Sequence, residues 1–520
     1  MDFLKTLDKK VFYPAAAICL VCIIWMMAVP EAAGNAINTA LNYIYDTLGW
    51  LYLLIVTLFV LVCFIFAFSK YGKIKLGKDD DVPEYSTLSW FAMLFSAAMG
   101  IGLIFWSIAE PMTYFASPPV GEANTAASAQ WGLRQTIFHW GLHPWSIYAI
   151  TGLALAYVSF RKDLPARISS IFEPILGRDN LDGGYAKAID IFAVIATVAG
   201  VGTSLGLGAM QINGGLNYLA GMEVNNANAV LVIVVVTILF ITSAVTGIKR
   251  GILWLSNINM SLMSIMMVFL LLTGPTLYIL NMIVTTTGDY LQNLLWLSFY
   301  ADPNGIYTEK AGYNWVGGWT VFYWAWWISW GPFVGGFIAR ISKGRTVKEF
   351  VTGVLIAPVL LSIIWIGIFG STALHIDLFG PGGIADAVAA DQTSALFITL
   401  SHLPGGGIVA LLATCLIATF FITSADSATF TVGMYSSGGA LEPHTGVKVF
   451  WGVIEGGVTA ALVIAGGINA LKAASIFTAL PFMLIICGII YCMFKYLNRE
   501  FSQKEIARSV SAAKGETVKM

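Results

Sequence analysis

Residues 315–345 read WVGGWTVFYWAWWISWGPFVGGFIARISKGR, an apolar span holding Trp315, Trp319, Trp324, Trp326, Trp327 and Trp330 beside Phe322 and Tyr323. At about 100° per residue, Trp319, Tyr323, Trp326 and Trp330 fall on one narrow helical stripe with Trp327 along its edge. Membrane proteins set Trp and Tyr at headgroup level. That reading suits Trp315 and Trp319 but fails for Trp326, Trp327 and Trp330, which lie near mid-span. Gly331-Pro332 and Gly335-Gly336 follow at once, and proline removes a backbone hydrogen bond and kinks or breaks a helix. A break beside an aromatic face predicts a site. Aromatic rings best hold a cation that donates no hydrogen bonds, above all a quaternary ammonium.

The surrounding 520 residues are 58% hydrophobic and only 11% charged, with a mean hydropathy of +0.78. This is the composition of an integral membrane protein. Strand alternation of the outer-membrane barrel type is absent, so the expected fold is all-α. About twelve apolar stretches of spanning length begin near residues 12, 49, 86, 136, 187, 227, 252, 315, 351, 404, 447 and 472. With twelve spans, all but three of the 28 Lys and Arg residues lie on one side; Arg134, Lys310 and Lys472 lie on the other. Basic residues are retained in the cytoplasm, which predicts a multi-pass protein with two cytoplasmic termini. The net charge of -1 gives no reason to invoke nucleic acid.

Cys19, Cys22, Cys63, Cys415, Cys487 and Cys492 sit in apolar spans and read as core residues, not as a disulfide framework or a zinc site. The first apolar run follows Lys9-Lys10 and ends at Pro30 without a small-residue cleavage site, so no cleavable signal is expected. No Ser-His-Asp arrangement, phosphate loop or HExxH motif appears, which excludes the usual enzyme classes and predicts no cofactor.

The spans fall into an ordered series. Residues 1–85 hold a tail and two plain helices, 86–283 five spans, 284–314 an extracellular connection with an amphipathic segment, 315–495 five more spans, and 496–520 a cytoplasmic tail. An odd number of spans per half inverts one half relative to the other, as in inverted-repeat transporters. The run Ala97-Ala98-Met99-Gly100-Ile101-Gly102 lies in the first half where Gly331-Pro332 lies in the second, so both are expected to break their helices. In HWGLHPWSIY, Trp140, Trp145 and Tyr148 form an arc on a helix able to face one ligand. In FFITSADS (residues 420–427) the hydroxyls either bond back to their own helix or, with freed carbonyls, offer the oxygen ligands sodium prefers. Embedded acids are few, with Glu455 the clearest and Glu110 near the outer end of its helix. His139 and His143 read as hydrogen-bonded structural residues.

With MGIGLIFWSIAEPMTYF (residues 99–115), HWGLHPWSIY (139–148), FYWAWWISWGPFVGGFIARISKGR (322–345) and FFITSADS, the chain resembles the betaine/choline/carnitine transporter family from Ser86 onward. The resemblance implies a LeuT-type fold of two five-helix inverted repeats preceded by two extra helices, often trimeric. It implies a central trimethylammonium box of Trp140, Trp145, Tyr148 and Trp327, with Trp326, Trp330 and Phe322 lining the route to the cytoplasm. Met99, Gly100 and Gly102 would approach the substrate. Sodium, as coupling ion, would take carbonyls at Ser96, Met99 and Phe420 and the hydroxyls of Thr423 and Ser424. A second sodium near Thr197 and Phe333 is put in doubt by Val201, which stands where a second hydroxyl is expected. Choline-carrying members resemble this chain but have Asp at the position of Gly102, so its glycine favours a zwitterion. The expected function is sodium-coupled import of a small trimethylammonium zwitterion, glycine betaine first, by alternating access in a bacterial inner membrane. Carnitine, γ-butyrobetaine or choline carriage, by exchange or proton coupling, and an osmosensing channel are the alternatives.

Overall fold

The structure, a computed structural model, describes residues 3–98, 100–246 and 249–513. Among the described residues every regular element is helical, apart from one isolated bridge between Lys75 and Thr346. Lipid requires this of a chain that must satisfy its backbone polar groups within each segment. The long helices are α1 (Lys9–Ala28), α2 (Pro30–Phe68), α3 (Thr87–Ala98), α4 (Ile101–Ala116), α5 (Ala126–His139), α6 (Leu142–Ala156) and α7 (Gly184–Ala220). They continue as α8 (Asn226–Thr246), α9 (Lys249–Thr273), α10 (Thr276–Phe299), α11 (Phe322–Arg340), α12 (Val347–Phe379), α13 (Gly406–Tyr435) and α14 (Thr445–Ala513). Eight helices among the described residues are long and apolar enough to cross a membrane.

Burial separates an inner from an outer set. The apolar window of α7 is 83% buried, against 33% for α1, so α7 runs through the middle while α1 turns Val21 and Ile24 outward. It packs on α11, α13 and α14, and α11 packs also on α6. Close approach is made possible by missing side chains: a Cβ at Gly200 would lie 2.9 Å from Ser329 Cβ and from Trp330 Cδ1. Within α14, Gly466 and Gly467 leave the helical region, and Gly467 at φ 56 takes the left-handed backbone that glycine adopts without a Cβ clash.

One face carries both described ends together with the basic loops. Lys187 Nζ lies 2.5 Å from Asp8 Oδ2, and Arg161 bridges Asp79 at 2.9 Å and also Glu500. The charged loop after α2 pairs with the loop after α11, with Leu76 N donating to Arg345 O at 2.8 Å. The opposite face carries the loops at 117–125 and 300–316 and the kink of α14.

Several sequence expectations change here. The break expected at Gly331-Pro332 is absent, since α11 runs unbroken through Pro332 to Arg340. The glycines there serve packing: a Cβ at Gly335 would lie 2.8 Å from Thr151 Cβ and 3.1 Å from Gly152 N. The break expected in residues 97–102 is present, between the end of α3 and the start of α4. Trp315 and Trp319 are 2% and 4% exposed, so they are not headgroup-belt residues; they pack inside against Tyr114. Cys22 and Cys415 are exposed rather than in the core. Helix α10 runs across the boundary expected at 283/284, and α14 continues past residue 495.

Candidate functional site

Helix α5 stops at His139 and α6 starts at Leu142, a break that the single arc drawn through Trp140, Trp145 and Tyr148 did not include. Glycine makes it possible, because a Cβ at Gly141 would lie 2.6 Å from Tyr290 Oη. That hydroxyl accepts from Leu142 N at 3.1 Å and so takes up one of the free N–H groups that begin α6. Leaving the helix at this point brings Trp140 against α11. Its ring stands edge-to-face to Trp327 at 4.7 Å and to Trp326 at 6.2 Å. Tyr148 approaches Trp327 from α6 at 6.3 Å, and Trp326 stacks on Trp327 at 4.9 Å. Trp145 reaches this group only through Tyr148, at 5.6 Å.

Each indole commits its N–H elsewhere: Trp326 to Ser204 Oγ at 3.2 Å, Trp327 to His139 O at 3.1 Å and Trp330 to Gly200 O at 2.8 Å. These bonds fix the ring planes and leave π faces as what the cluster offers to a ligand. Tyr148 Oη is buried without a hydrogen-bond partner, a polar atom still free to meet one. Gly102 is wedged among the rings, since a Cβ there would lie 2.6 Å from Trp326 Cη2 and 3.2 Å from Trp140 Cη2. Phe322 stacks on Trp326 at 5.6 Å, but one turn toward the face away from the termini. It therefore does not line the route to the termini side as expected; Trp330, beside Phe333 at 5.6 Å, lies on that side.

A fully buried carboxylate braces the box. Glu110 Oε1 accepts from Tyr114 Oη at 3.0 Å and meets His139 Nδ1 at 2.6 Å, while Oε2 accepts from Trp140 Nε1 at 3.1 Å and Tyr323 Oη at 2.6 Å. Four donors around one carboxylate are what a buried charge needs. The imidazole meets this arrangement by donating from Nδ1, with Nε2 facing Thr320 Oγ1 at 2.9 Å. Glu110 thus ties α4, α5 and α11 together and sets Trp140 directly. Sequence reasoning placed Glu110 near a helix end and His139 as structural without joining them. An acid in an apolar helix is the signal that pointed there. His143 is structural as read, stacked on Trp324 at 4.9 Å with Nε2 3.1 Å from Ser298 Oγ.

The break between α3 and α4 faces α13. A Cβ at Gly100 would lie 3.6 Å from Phe420 Cδ1 and 3.7 Å from Ser424 Oγ, so Gly100, Phe420 and Ser424 come together. Thr423 Oγ1 bonds back to Phe420 O at 3.2 Å and accepts from Asn259 Nδ2 at 3.3 Å. Ser96 belongs to the last turn of α3, and Met99 lies outside the described residues. Thr197 gives its hydroxyl to Ala193 O at 2.8 Å; among the described residues no hydrogen bond joins it to Phe333. At the start of α4 no side chain caps the helix, which leaves its first N–H groups open to an anion.

A profile of the betaine/carnitine/choline family of transporters matches residues 10–502. The chain belongs to this family. Its members are transporters, and the protein is therefore a membrane transporter and not an enzyme. It is 47% identical over 98% of its length to the glycine betaine transporter OpuD of Bacillus subtilis, covering 98% of that protein. It is 46% identical to a probable glycine betaine transporter of Desulfitobacterium hafniense, over 95% of this chain and 99% of that one. An ectoine/hydroxyectoine transporter of Virgibacillus pantothenticus is 42% identical, over 93% of this chain and 95% of that one. Relatives named for two different solutes thus match this chain along nearly their whole length.

Proposed function

We propose that this family member imports glycine betaine together with sodium. The observation that carries the reading is the buried cluster of Trp140, Tyr148, Trp326 and Trp327 with Gly102 wedged against it. The rings take the trimethylammonium, whose charge also draws on the Glu110 carboxylate behind Trp140 and Tyr323. The substrate carboxylate turns the other way, to the uncapped N-terminus of α4, where backbone N–H groups and the helix dipole favour an anion. Transport proceeds by alternating access in a twelve-span, LeuT-type inverted repeat, with the termini in the cytoplasm of a bacterial inner membrane and three copies per assembly. Trp327→Leu tests the box. Each desolvated cation–π contact contributes about 0.5–2 kcal/mol, so betaine binding read by Trp fluorescence should weaken about 2- to 30-fold. Unchanged affinity removes Trp327 from the box. Choline, carnitine and ectoine, screened at fixed sodium, should all bind the native protein more weakly than betaine.

In this reading sodium takes carbonyl oxygens of Ser96, Met99 and Phe420 and the hydroxyls of Thr423 and Ser424, all hard oxygens, a set supported by the approach of Gly100 to Phe420 and Ser424. At the second position considered for an ion, near Thr197 and Phe333, Val201 stands where a second hydroxyl is expected, so this reading places no ion there. Changing Thr423 and Ser424 together to Ala removes two oxygens without adding bulk. The sodium concentration for half-maximal uptake is then expected to rise several-fold, with Vmax per folded transporter less affected. An unaltered sodium dependence at equal expression places the ion elsewhere.

A further inference from the structure

Glu455 lies in the apolar run of α14 and is fully buried, yet its surroundings differ from those of Glu110. One donor reaches it: Thr429 Oγ1 of α13 gives to Oε2 at 2.9 Å. Among the described residues Oε1 is buried without a hydrogen-bond partner. Glu110 shows what an ionised carboxylate needs in this interior, four donors on its two oxygens. With a single donor, Glu455 stands here as the neutral acid, with a proton bound. Asp426 lies one turn before Thr429 on α13, is 7% exposed, and is close enough for the two acids to act on each other electrostatically. Lys448 stands two turns before Glu455 on the same face of α14 and acts in turn on Asp426. Its ammonium donates to Ala244 O near the end of α8 at 3.0 Å. This end of the helices belongs to the termini face, where Asp8 N donates to Ser436 O at 3.0 Å. Glu455, Asp426 and Lys448 therefore run in file from a dry interior to that face. The other neighbours bring no charge: α1 sets the Cys19 thiol near Glu455, α8 sets Thr237 against Gly456, and α7 meets Thr459 through Gly202.

We propose that Glu455 is a proton-binding site of the transporter, filled and emptied from the termini face through Asp426. The proton leaves the Glu455 carboxyl for the Asp426 carboxylate and then for water, one O–H bond breaking and one forming at each transfer, with the Lys448 ammonium offsetting the charge on Asp426. Emptying the site leaves a charge in the dry contact between α13 and α14, which is costly unless the two helices part. The packing described here is therefore reached with the proton on. Helix α13 also carries Thr423 and Ser424, so proton occupancy acts on the helix to which the proposed function assigns sodium. The site stands whether or not glycine betaine is the solute.

The test uses the full-length protein and begins with infrared spectra of the native form minus Glu455→Gln, a change that keeps the shape of the acid and an oxygen for Thr429. The difference should show a protonated-carboxyl C=O band at neutral pH that disappears on alkaline titration. Asp426→Asn removes the like charge beside it and should move that disappearance to lower pH by about one unit or more. A second measurement follows glycine betaine uptake into vesicles with the termini face inward. Native uptake should fall as the interior is made alkaline, and Glu455→Gln should lose that fall while still requiring sodium. Absence of the band, a titration that Asp426→Asn does not move, or the same pH profile of uptake in the native protein and Glu455→Gln overturns the proposal. If neither protein takes up betaine, the proposed function fails and the infrared band and its titration alone decide on the proton site.

Discussion

Glu110→Gln is expected to weaken glycine betaine binding by at least about 10-fold and to lower stability by about 1–3 kcal/mol. The carboxylate is surrounded by the Tyr114 and Tyr323 hydroxyls, His139 Nδ1 and Trp140 Nε1. A carboxamide has one oxygen and one NH2, so whichever way it turns, two of these donors face another donor. The unmet groups include the one that orients Trp140, and the negative charge behind the box is lost as well. Glu110→Ala leaves all four donors buried without an acceptor and should cost about 3–5 kcal/mol, as when one member of a buried ion pair is removed. Thermal unfolding in detergent gives the stability term, and betaine titration of the folded fraction gives the binding term. If Glu110→Gln unfolds at a lower temperature yet binds betaine as the native protein does, the carboxylate is a structural brace only.

Much of this was legible in the sequence, for physical reasons that differ from residue to residue. The α3–α4 break could be read at residues 97–102 because successive small residues remove the side-chain cover that keeps a helix closed. Gly331-Pro332 looked the same on paper but is not a break. Its missing side chains are occupied by neighbours, with Phe482 3.3 Å from a Cβ built at Gly331 and Tyr435 Oη donating to Pro332 O at 2.7 Å. Whether a glycine run unwinds or packs is decided by the partner helix, which periodicity does not contain. The aromatic stripe of α11 was readable because helical spacing alone puts Trp326 and Trp330 on one side. Trp140 joined it through a turn at Gly141 set by Tyr290, about 150 residues away, and Glu110 found His139 across the α4–α5 packing. Lys472 read as one of three basic exceptions on the far side of the membrane; the rings of Phe322, Trp319 and Trp106 that surround its ammonium come from other helices, which periodicity does not join.

Gly102→Asp is expected to turn the preference from glycine betaine to choline. Gly102 lies in the first turn of α4, whose N-terminal N–H groups are where the proposed orientation puts the substrate carboxylate. A second carboxylate there meets it at short range, and like unit charges about 4 Å apart at an effective dielectric of 20 repel by about 4 kcal/mol, close to a 1000-fold loss. Choline carries no carboxylate and gains from the same charge. Bulk acts alongside charge, because any Cβ at 102 comes 2.6 Å from Trp326 Cη2 and the indole must shift. Gly102→Ala and Gly102→Asn carry that bulk without the charge, and both should weaken betaine and choline by similar factors. Only Asp should invert the ratio of the two. Competitive uptake of both solutes into the same vesicles measures that ratio directly: if Asp and Asn give the same ratio, the carboxylate does not lie beside Gly102, and the charge-based case for a zwitterion is lost.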